Sequence, residues 1–521
     1  MIPLFSTKTI RKVDEFAIKK LRIPSIVLME NASLEIFKFA NEKLKSAGKS
    51  GKIGFICGRG NNGGDGYALA RHFINNQYKV IVIQLFDEAE LALDCRINFI
   101  ILKQMISRFK DSKLIKFQSV RDLSTLKNCD MIVDAMLGSG IQGELKELFQ
   151  SIVNKVNTLN SIKLSVDIPT GLDADKGYSK LCFHSDFTVT LGELKAGLFF
   201  GEGYLKAGLV KKGNIGISSS YYPLEKSSEF LLDPKDVVGA LPVKNKSANK
   251  YSAGKVLTIA GSGKYSGAAI LTAKSTLKVG AGASVLCFPK SIRSFIHKNL
   301  SEVVLQEYED NRKEFFRVEN LEELSSKIKW ADVVAIGPGL GREEDTQKAV
   351  IQLVRGRKFR NIVIDADALF AISSKKYKKL DLKNCILTPH HGEFCALIGI
   401  ELEDLQKDIL KFGRKFVNET GAYLVLKGAP TIIFLPNGKV LINTAGNPGM
   451  AKFGTGDVLT GVIAGFLSQV KDIEKALISG VYIHSLAADL LIEKYTELGF
   501  TATDLMNNIP SAIRSLGNSI V

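Results

Sequence analysis

Gly454-Thr455-Gly456-Asp457 stands between an irregular stretch, Asn443-Thr-Ala-Gly-Asn-Pro-Gly449, and an apolar helical run from Val458 to Phe466. Three small residues leave backbone N–H groups uncovered where a helix begins, so unpaired donors and the positive end of the helix dipole converge on a spot suited to an anion. Asp457 is out of place as a phosphate ligand, because its carboxylate would repel one. It makes sense if it takes a proton from a hydroxyl while the neighbouring amides hold the phosphoryl group that the hydroxyl attacks. That is kinase chemistry without a P-loop, and no Gly-x-x-x-x-Gly-Lys-[Ser/Thr] occurs in the chain. The plainer reading is a capped helix with Asp457 in its first turn.

Working outward, 521 residues exceed one ordinary core, and two α/β halves can be read. The first opens with helical segments, Lys12 to Leu21 and Leu28 to Leu44. Short apolar strands follow at 52–57, 79–84, 131–134 and 162–167, alternating with helical stretches, which predicts a parallel, doubly wound sheet. From Gly213 to Leu241 the pattern dissolves into Ser218-Ser-Ser-Tyr-Tyr-Pro223 and Asp233-Pro234, placing a boundary at 226 between domains 1–226 and 227–521. The second half restarts at 255–260, continues at 284–288, 332–336, 361–365 and 423–426, and ends in a hairpin over 432–442 turning at Asn437-Gly438. The halves share no detectable similarity, so they read as different α/β domains and not as a duplication.

Hydrophobic residues make up 45% and charged residues 24%, a globular composition. No apolar run approaches the ~18 residues of a membrane span, and the stretch beginning Met1-Ile-Pro-Leu-Phe5 has no signal-peptide core. Cytoplasmic localisation without membrane association is expected. Seven cysteines, 57, 95, 129, 182, 287, 385 and 395, form no Cys-x-x-Cys pair and read as reduced core residues. The net charge of +16 is spread along the chain without a recognised nucleic-acid module, so nucleic acid is not an expected partner. An anionic small molecule gains from the same field.

Gly58-Arg59-Gly60-Asn61-Asn62-Gly63 satisfies Gly-x-Gly-x-x-Gly after a strand, and Asp87 follows the next strand, the outline of a dehydrogenase. The loop then continues Gly64-Asp65-Gly66, putting two amides and a carboxylate where a pyrophosphate needs bare backbone. Two further sheet-edge loops, Asp134 to Gly143 and Val166 to Gly171, face the same crevice. Convergent acidic and amide-bearing loops read as a site for a hard cation plus a catalytic carboxylate; alternatively Asp134 and Asp167 only cap turns.

Leu28-Met-Glu-Asn-Ala-Ser33, Asn61-Asn-Gly-Gly-Asp65, Asp134 with Gly138, Val166-Asp-Ile-Pro-Thr-Gly-Leu-Asp173 and Thr190-Leu-Gly-Glu-Leu-Lys195-Ala-Gly197 together resemble the NAD(P)H-hydrate epimerase domain over nearly all of residues 1 to 220. The resemblance implies a Rossmann-like domain in which Asn61, Asn62, Gly63, Gly64 and Asp65, with Gly138, Ser139, Gly140, Ile141, Gln142, Gly143 and Glu144, hold the hydrated dinucleotide. It implies potassium on Asn62, Asp134 and Thr170, and Asp167 at the substrate. Thr170 stands where serine is also common, which keeps the oxygen ligand.

In the second half, Ala260-Gly-Ser-Gly263 through Ala269, Gly337-Pro-Gly-Leu-Gly341, Asp365-Ala-Asp-Ala-Leu369, Thr388-Pro-His-His-Gly-Glu393 and Lys427-Gly-Ala-Pro-Thr431 all follow predicted strands. His390 and His391 on an extended chain point to opposite faces, so a shared metal ion is not expected. Glu393 suits an outer partner for magnesium. This set resembles the ribokinase-like ADP-dependent NAD(P)H-hydrate dehydratase domain over residues 230 to 515. The resemblance implies that Ala269, Gly339 and His390 contact the hydrate, that Lys427, Gly428, Ala429, Pro430, Thr431 and Gly456 hold the adenine nucleotide, and that Asp457 meets the reacting hydroxyl. Sugar kinases of this fold commonly carry asparagine where His390 stands, which argues against a sugar.

The implied chemistry joins the halves. The C6 hydroxyl of hydrated nicotinamide leaves poorly, and phosphorylation from ADP makes it a good leaving group that the ring nitrogen expels. The transfer is stereospecific, so an epimerase with Asp167 as acid or base would recover the other epimer. The implied requirements are K⁺, Mg²⁺ and ADP, the substrates are hydrated NADH and NADPH, and a homo-oligomer is the expected assembly. The competing reading is a vitamin or sugar kinase fused to a dinucleotide-binding regulatory domain.

Overall fold

The computed structural model describes all residues except 50, 110, 141–142, 225–226, 245, 248, 357–360 and 519–521. The chain divides into two compact units, Pro3–Glu229 and Phe230–Val521, with Met1 and Ile2 counted with the second. The boundary expected at 226 falls outside the described residues.

The first unit holds seven strands: β1 Lys52–Cys57, β2 Lys79–Gln84, β3 Lys113–Lys116, β4 Met131–Ala135, β5 Ile162–Val166, β6 Phe187–Leu191 and β7 Leu209–Gly213. They lie in the order β3-β2-β1-β4-β5-β6-β7, every pair parallel. Parallel sheets are covered on both faces, which is why the interior strands are apolar runs without alternation. Val80, Val82, Ile132 and Val133 are fully buried. Each such side chain gains about 1.5–3 kcal/mol from burial. Reversal of strand order beside β1 opens a crevice at the carboxyl ends of β1 and β4, where open α/β sheets take ligands.

The opening helices are Thr7–Lys19 and Ser25–Ser46. The first starts five residues before the expected Lys12, because the Ser6 side chain accepts from the Thr9 N–H and caps it. Asn61–Asn75 is helical from its first residue, so the expected loop running through Gly66 is corrected: it ends at Gly60. A Cβ at position 63 would lie 2.0 Å from the Gly58 carbonyl oxygen, so this glycine lets the helix start close against the strand end.

The second unit adds β8 Glu229–Leu231, β9 Lys255–Ile259, β10 Ala283–Pro289, β11 Val304–Tyr308, β12 Val333–Ile336, β13 Asn361–Ile364, β14 Cys385–Leu387, β15 Tyr423–Leu426, β16 Thr431–Phe434 and β17 Val440–Asn443. These follow the order β8-β17-β16-β15-β14-β13-β12-β9-β10-β11. From β15 to β11 the pairs are parallel, and β16 and β17 add antiparallel strands beyond β15. The carboxyl ends of β9 and β12 to β15 therefore share one edge of the sheet.

Helices Thr455–Val470, Ile473–Gly499 and Ala502–Asn518 contribute to the large apolar core of this unit. Ile473–Gly499 is long and apolar enough by length and composition to cross a membrane, which corrects the expectation that no stretch is. Two thirds of its apolar window, 67%, is buried inside the unit, the pattern of a core helix. All seven cysteines are buried, and none is in a disulfide.

Candidate functional sites

A cavity of about 770 Å³ opens at the switch point of the first sheet, lined in part by Asn61, Asn62, Asp65, Gly138, Ser139, Gly140, Glu144 and Asp167. Gly63, Gly64 and Gly143 do not line it, and Ile141 and Gln142 lie outside the described residues. Arg11, Arg59 and Lys146 bring positive charge to the wall, and Phe86 and Phe149 bring rings. None of these five was singled out from sequence. Arg59 is a variable position of the Gly58 to Gly63 motif, and only folding assembles it with the other four.

Asp167 sits just past β5 with φ +68, a backbone conformation uncommon for a non-glycine residue, which turns its carboxylate back into the sheet end. Its Oδ1 accepts from Lys195 Nζ at 2.7 Å and the Leu191 N–H at 3.1 Å, and Oδ2 accepts from the Ser139 N–H at 3.4 Å. Lys195 is 1% exposed. Burial pushes the Asp167 carboxyl up, but the Lys195 charge and these hydrogen bonds outweigh it and hold the group below its ordinary range. Asp167 therefore rests as an anion.

Asp134 and Thr170 lie together beneath the cavity. The Asp134 carboxylate is fully buried and accepts from Thr170 Oγ1 at 2.7 Å, the Thr170 N–H at 2.8 Å, the Met136 N–H at 3.2 Å and Ser165 Oγ at 3.2 Å. Burial raises it to about 6 against the pull of these donors, and among the described residues no cationic side chain forms an ion pair with it. Asn62 is close: a Cβ at Gly138 would meet its Oδ1 at 3.3 Å, and its buried Nδ2 has no hydrogen-bond partner. The structure thus brings the three residues of the expected ion site around one region. The donors are all oxygen, and one amide nitrogen is left orphaned.

In the second unit Gly454 caps the helix Thr455–Val470 with φ +95, and a Cβ there would lie 2.8 Å from Ala502 Cβ and from Leu271 Cδ1. Position 456 is less confined, since a Cβ would stand 3.3 Å from Lys427 Nζ. Lys427 follows β15, bridges in parallel with His390, and pairs its Nζ with Asp365 Oδ1 at 2.8 Å. Thr460 Oγ1 donates to the other Asp365 oxygen at 2.6 Å. Burial pushes Asp457 up to about 7; Asp365 adds to the rise, Lys427 opposes it, and Asp367 and Glu393 contribute further. A carboxyl poised there can accept a proton at neutral pH.

The other expected residues fall on the same sheet edge in different ways. Ala269 is completely buried in the helix Ser266–Lys278, so its methyl group faces core. The Gly339 carbonyl accepts from Ser262 Oγ at 2.8 Å, tying the loops after β9 and β12 together. His390 is exposed and caps the helix His391–Ile398: its Nδ1 accepts from the Glu393 N–H, while its own N–H donates to Glu393 Oε2 at 2.8 Å. The expected outer magnesium partner is thus a helix-capping carboxylate here. Gly428 and Ala429 are exposed, Pro430 is buried, and Thr431 Oγ1 donates to the Gly428 carbonyl at 3.3 Å.

Sequence reasoning missed what holds the approach to Gly454. Asp489 accepts from the Gly446 N–H at 2.9 Å and Asn447 Nδ2 at 3.0 Å. Buried His484, lowered by burial to about 4 and hence neutral, donates its Nε2–H to the Thr455 carbonyl at 2.9 Å. Both sit on the following helix, 29 residues away for the His484 contact and 43 and 42 for those of Asp489.

Comparison with known proteins finds similarity across both units. A family model described as NAD(P)H-hydrate dehydratase matches residues 256–511, and one described as YjeF-related protein N-terminus matches residues 25–197. The bifunctional NAD(P)H-hydrate repair enzyme Nnr of Moorella thermoacetica is 33% identical over 515 residues, 98% of this chain and 96% of the relative. That of Thermofilum pendens is 33% identical over 512 residues, 97% and 95% of the two chains. Among solved structures, a ribokinase-like superfamily protein of Enterococcus faecalis is similar with TM-score 0.50 and 26% identity, over 56% of this chain and 98% of the other. A third of the residues held in common along nearly the full length, across both units, places the chain in the family of bifunctional NAD(P)H-hydrate repair enzymes.

Proposed function

We propose that this chain repairs hydrated NADH and NADPH. The first unit interconverts the R and S epimers, and the second dehydrates the S epimer to NAD(P)H at the expense of ADP, giving AMP and phosphate. The observation that carries the reading is the placement of Asp457: a carboxyl raised to about 7, in the first turn of a helix capped by glycine without a side-chain cap hydrogen bond, with the Lys427 ammonium beside it.

In this reading Asp457 takes the proton of the C6 hydroxyl as its oxygen attacks the terminal phosphoryl group of ADP. The helix N–H groups and Lys427 stabilise charge on the transferring group. The ring nitrogen lone pair then expels phosphate from C6, and loss of a proton from C5 of the resulting iminium restores the dihydronicotinamide. Asp365 and Thr460 hold Lys427 in place. Mg²⁺, which shields phosphate charge when bound, would lie toward the acidic side of the site formed by Asp365, Asp367 and Glu393.

In the first unit Asp167, ionised at rest, serves as the base toward the hydrate. K⁺ fits Asn62, Asp134 and Thr170, an all-oxygen set containing a buried carboxylate without a cationic partner. Its charge would compensate Asp134 and fix the Gly138 loop that frames the cavity. Seven buried cysteines outside any disulfide accord with a reducing, cytoplasmic setting.

The test is incubation of the protein with a mixture of hydrate epimers, ADP, K⁺ and Mg²⁺ while dihydronicotinamide absorbance is followed. Complete recovery with stoichiometric phosphate is expected. A stable phosphorylated product without recovered absorbance would overturn the reading in favour of a kinase.

A further inference from the structure

The first-unit cavity holds a titratable group that the sequence reading leaves unused. Asp14, on the helix Thr7–Lys19, lines the cavity, and its Oδ1 is shut away from solvent with no hydrogen-bond partner. Leaving a buried polar atom unpaired costs about 1–3 kcal/mol, a penalty that a structural aspartate has no reason to carry. Several charged or titratable groups surround it. Lys195 and Asp167 act on it directly, Asp65 and Tyr222 feel its charge, and Arg11 on the same helix lines the same cavity.

We propose that Asp14 is the second acid–base group of the epimerisation, giving a proton to the ring nitrogen N1 and retaking it while Asp167 serves the C6 hydroxyl. This rests on the epimerase reading of the first unit. Asp167 takes the hydroxyl proton, and the C6–N1 bond breaks with its electron pair passing to N1, which receives the proton of Asp14. The result is an open-chain aldehyde and an N–H enamine. Rotation about C5–C6 presents the other face of the aldehyde. N1 attacks it, Asp14 retakes the N1 proton, and Asp167 returns its proton to the oxygen. The ring closes with C6 inverted, both carboxyl groups are as they began, and no oxidant or reductant is involved.

The environments of the two groups differ in the sense this cycle needs. Asp167 is kept ionised by Lys195. Burial raises Asp14, Lys195 opposes the rise and Asp167 adds to it, for a value of about 6. A proton held at that strength is exchangeable near neutrality. Asp65, which also lines the cavity, is pushed well above its ordinary range by burial, with Asp167 and Asp14 adding, and suits a hydrogen-bond donor.

The experiment uses full-length protein, purified R hydrate and no nucleotide, and follows appearance of the S epimer between pH 4 and 9. Wild-type kcat should decline above about pH 6 as Asp14 loses its proton. Asp14→Asn should lower kcat by ~10²–10⁴ and remove the decline, with KM little changed. Asp14→Glu should keep the decline at reduced rate, and it carries the test if the Asn variant does not fold. An Asn variant retaining more than about a tenth of wild-type kcat, a loss confined to KM or to thermal stability, or a Glu variant with a flat profile overturns the proposal. Failure of the underlying reading looks different: wild-type protein would not accelerate interconversion at any pH.

Discussion

Lys427 Nζ lies 2.8 Å from Asp365 Oδ1, and the Asp365 side chain is only 2% exposed. The pair places a fixed positive charge among Asp365, Asp367, Glu393 and Asp457, and that Lys427 charge opposes the rise of the Asp457 carboxyl. Lys427→Met should therefore raise Asp457 above about 7 and move the rise of dehydratase rate to higher pH. Removing one partner of a buried pair also costs about 3–5 kcal/mol, visible as a lower unfolding temperature. A pH–rate profile that does not move would separate Lys427 from Asp457.

In wild-type protein the dehydratase rate should climb as pH passes through about 7 and then level, because the base form of Asp457 is the active one. Stability should run the other way. Asp457 binds a proton more tightly in the folded protein than an ordinary aspartate, at 3.8, does, so its contribution declines as pH rises from about 4 to about 7 and is fully lost above. Denaturant titrations at pH 5 and pH 8, wild type against Asp457→Asn, check the sign: the Asn variant should gain relative stability at pH 8.

Gly454→Ala should damage the second unit. The position has φ +95 and no room for a methyl group, so strain and overpacking together should cost about 1–3 kcal/mol. Dehydration should fall steeply while epimerisation, housed in the other unit, is spared. Equal loss of both activities would contradict this assignment.

Asp134→Ala should slow epimerisation and remove its response to K⁺, leaving dehydration intact. Rates measured in K⁺ and in a large organic cation at equal ionic strength check it. A wild-type epimerase rate equal in both buffers would rule out the ion site.

The sequence showed most where chemistry sits at strand ends. Strands Lys52–Cys57, Lys79–Gln84 and Tyr423–Leu426 have the expected limits, because apolar runs stop sharply at polar residues. Strands 162–167 and 361–365 end one residue earlier than read, since Asp167 turns into φ +68 and Asp365 caps the helix Ala366–Ala371. Edge strands Lys113–Lys116 and Val304–Tyr308 were not read; they are short, with polar residues among the apolar ones, and pairing decides them. The helix starting at Asn61 looked like loop because its glycines lower helix propensity, a cost that close packing against Gly58 outweighs. Asp14, His484 and Asp489 were invisible for another reason: each acts on residues far along the chain, and no spacing announces that.

The central claim, that Asp457 is the base of a nucleotide-dependent dehydration, is tested most directly by Asp457→Asn. Asparagine keeps the size and polarity of the side chain, so a folded protein is expected. The measurement is return of dihydronicotinamide absorbance from purified S hydrate with ADP and Mg²⁺, beside epimerisation and thermal unfolding of the same sample. The account predicts a rate lower by ~10²–10⁴ with epimerisation unchanged. A folded variant keeping more than about a tenth of the wild-type rate would contradict it and remove Asp457 from the mechanism.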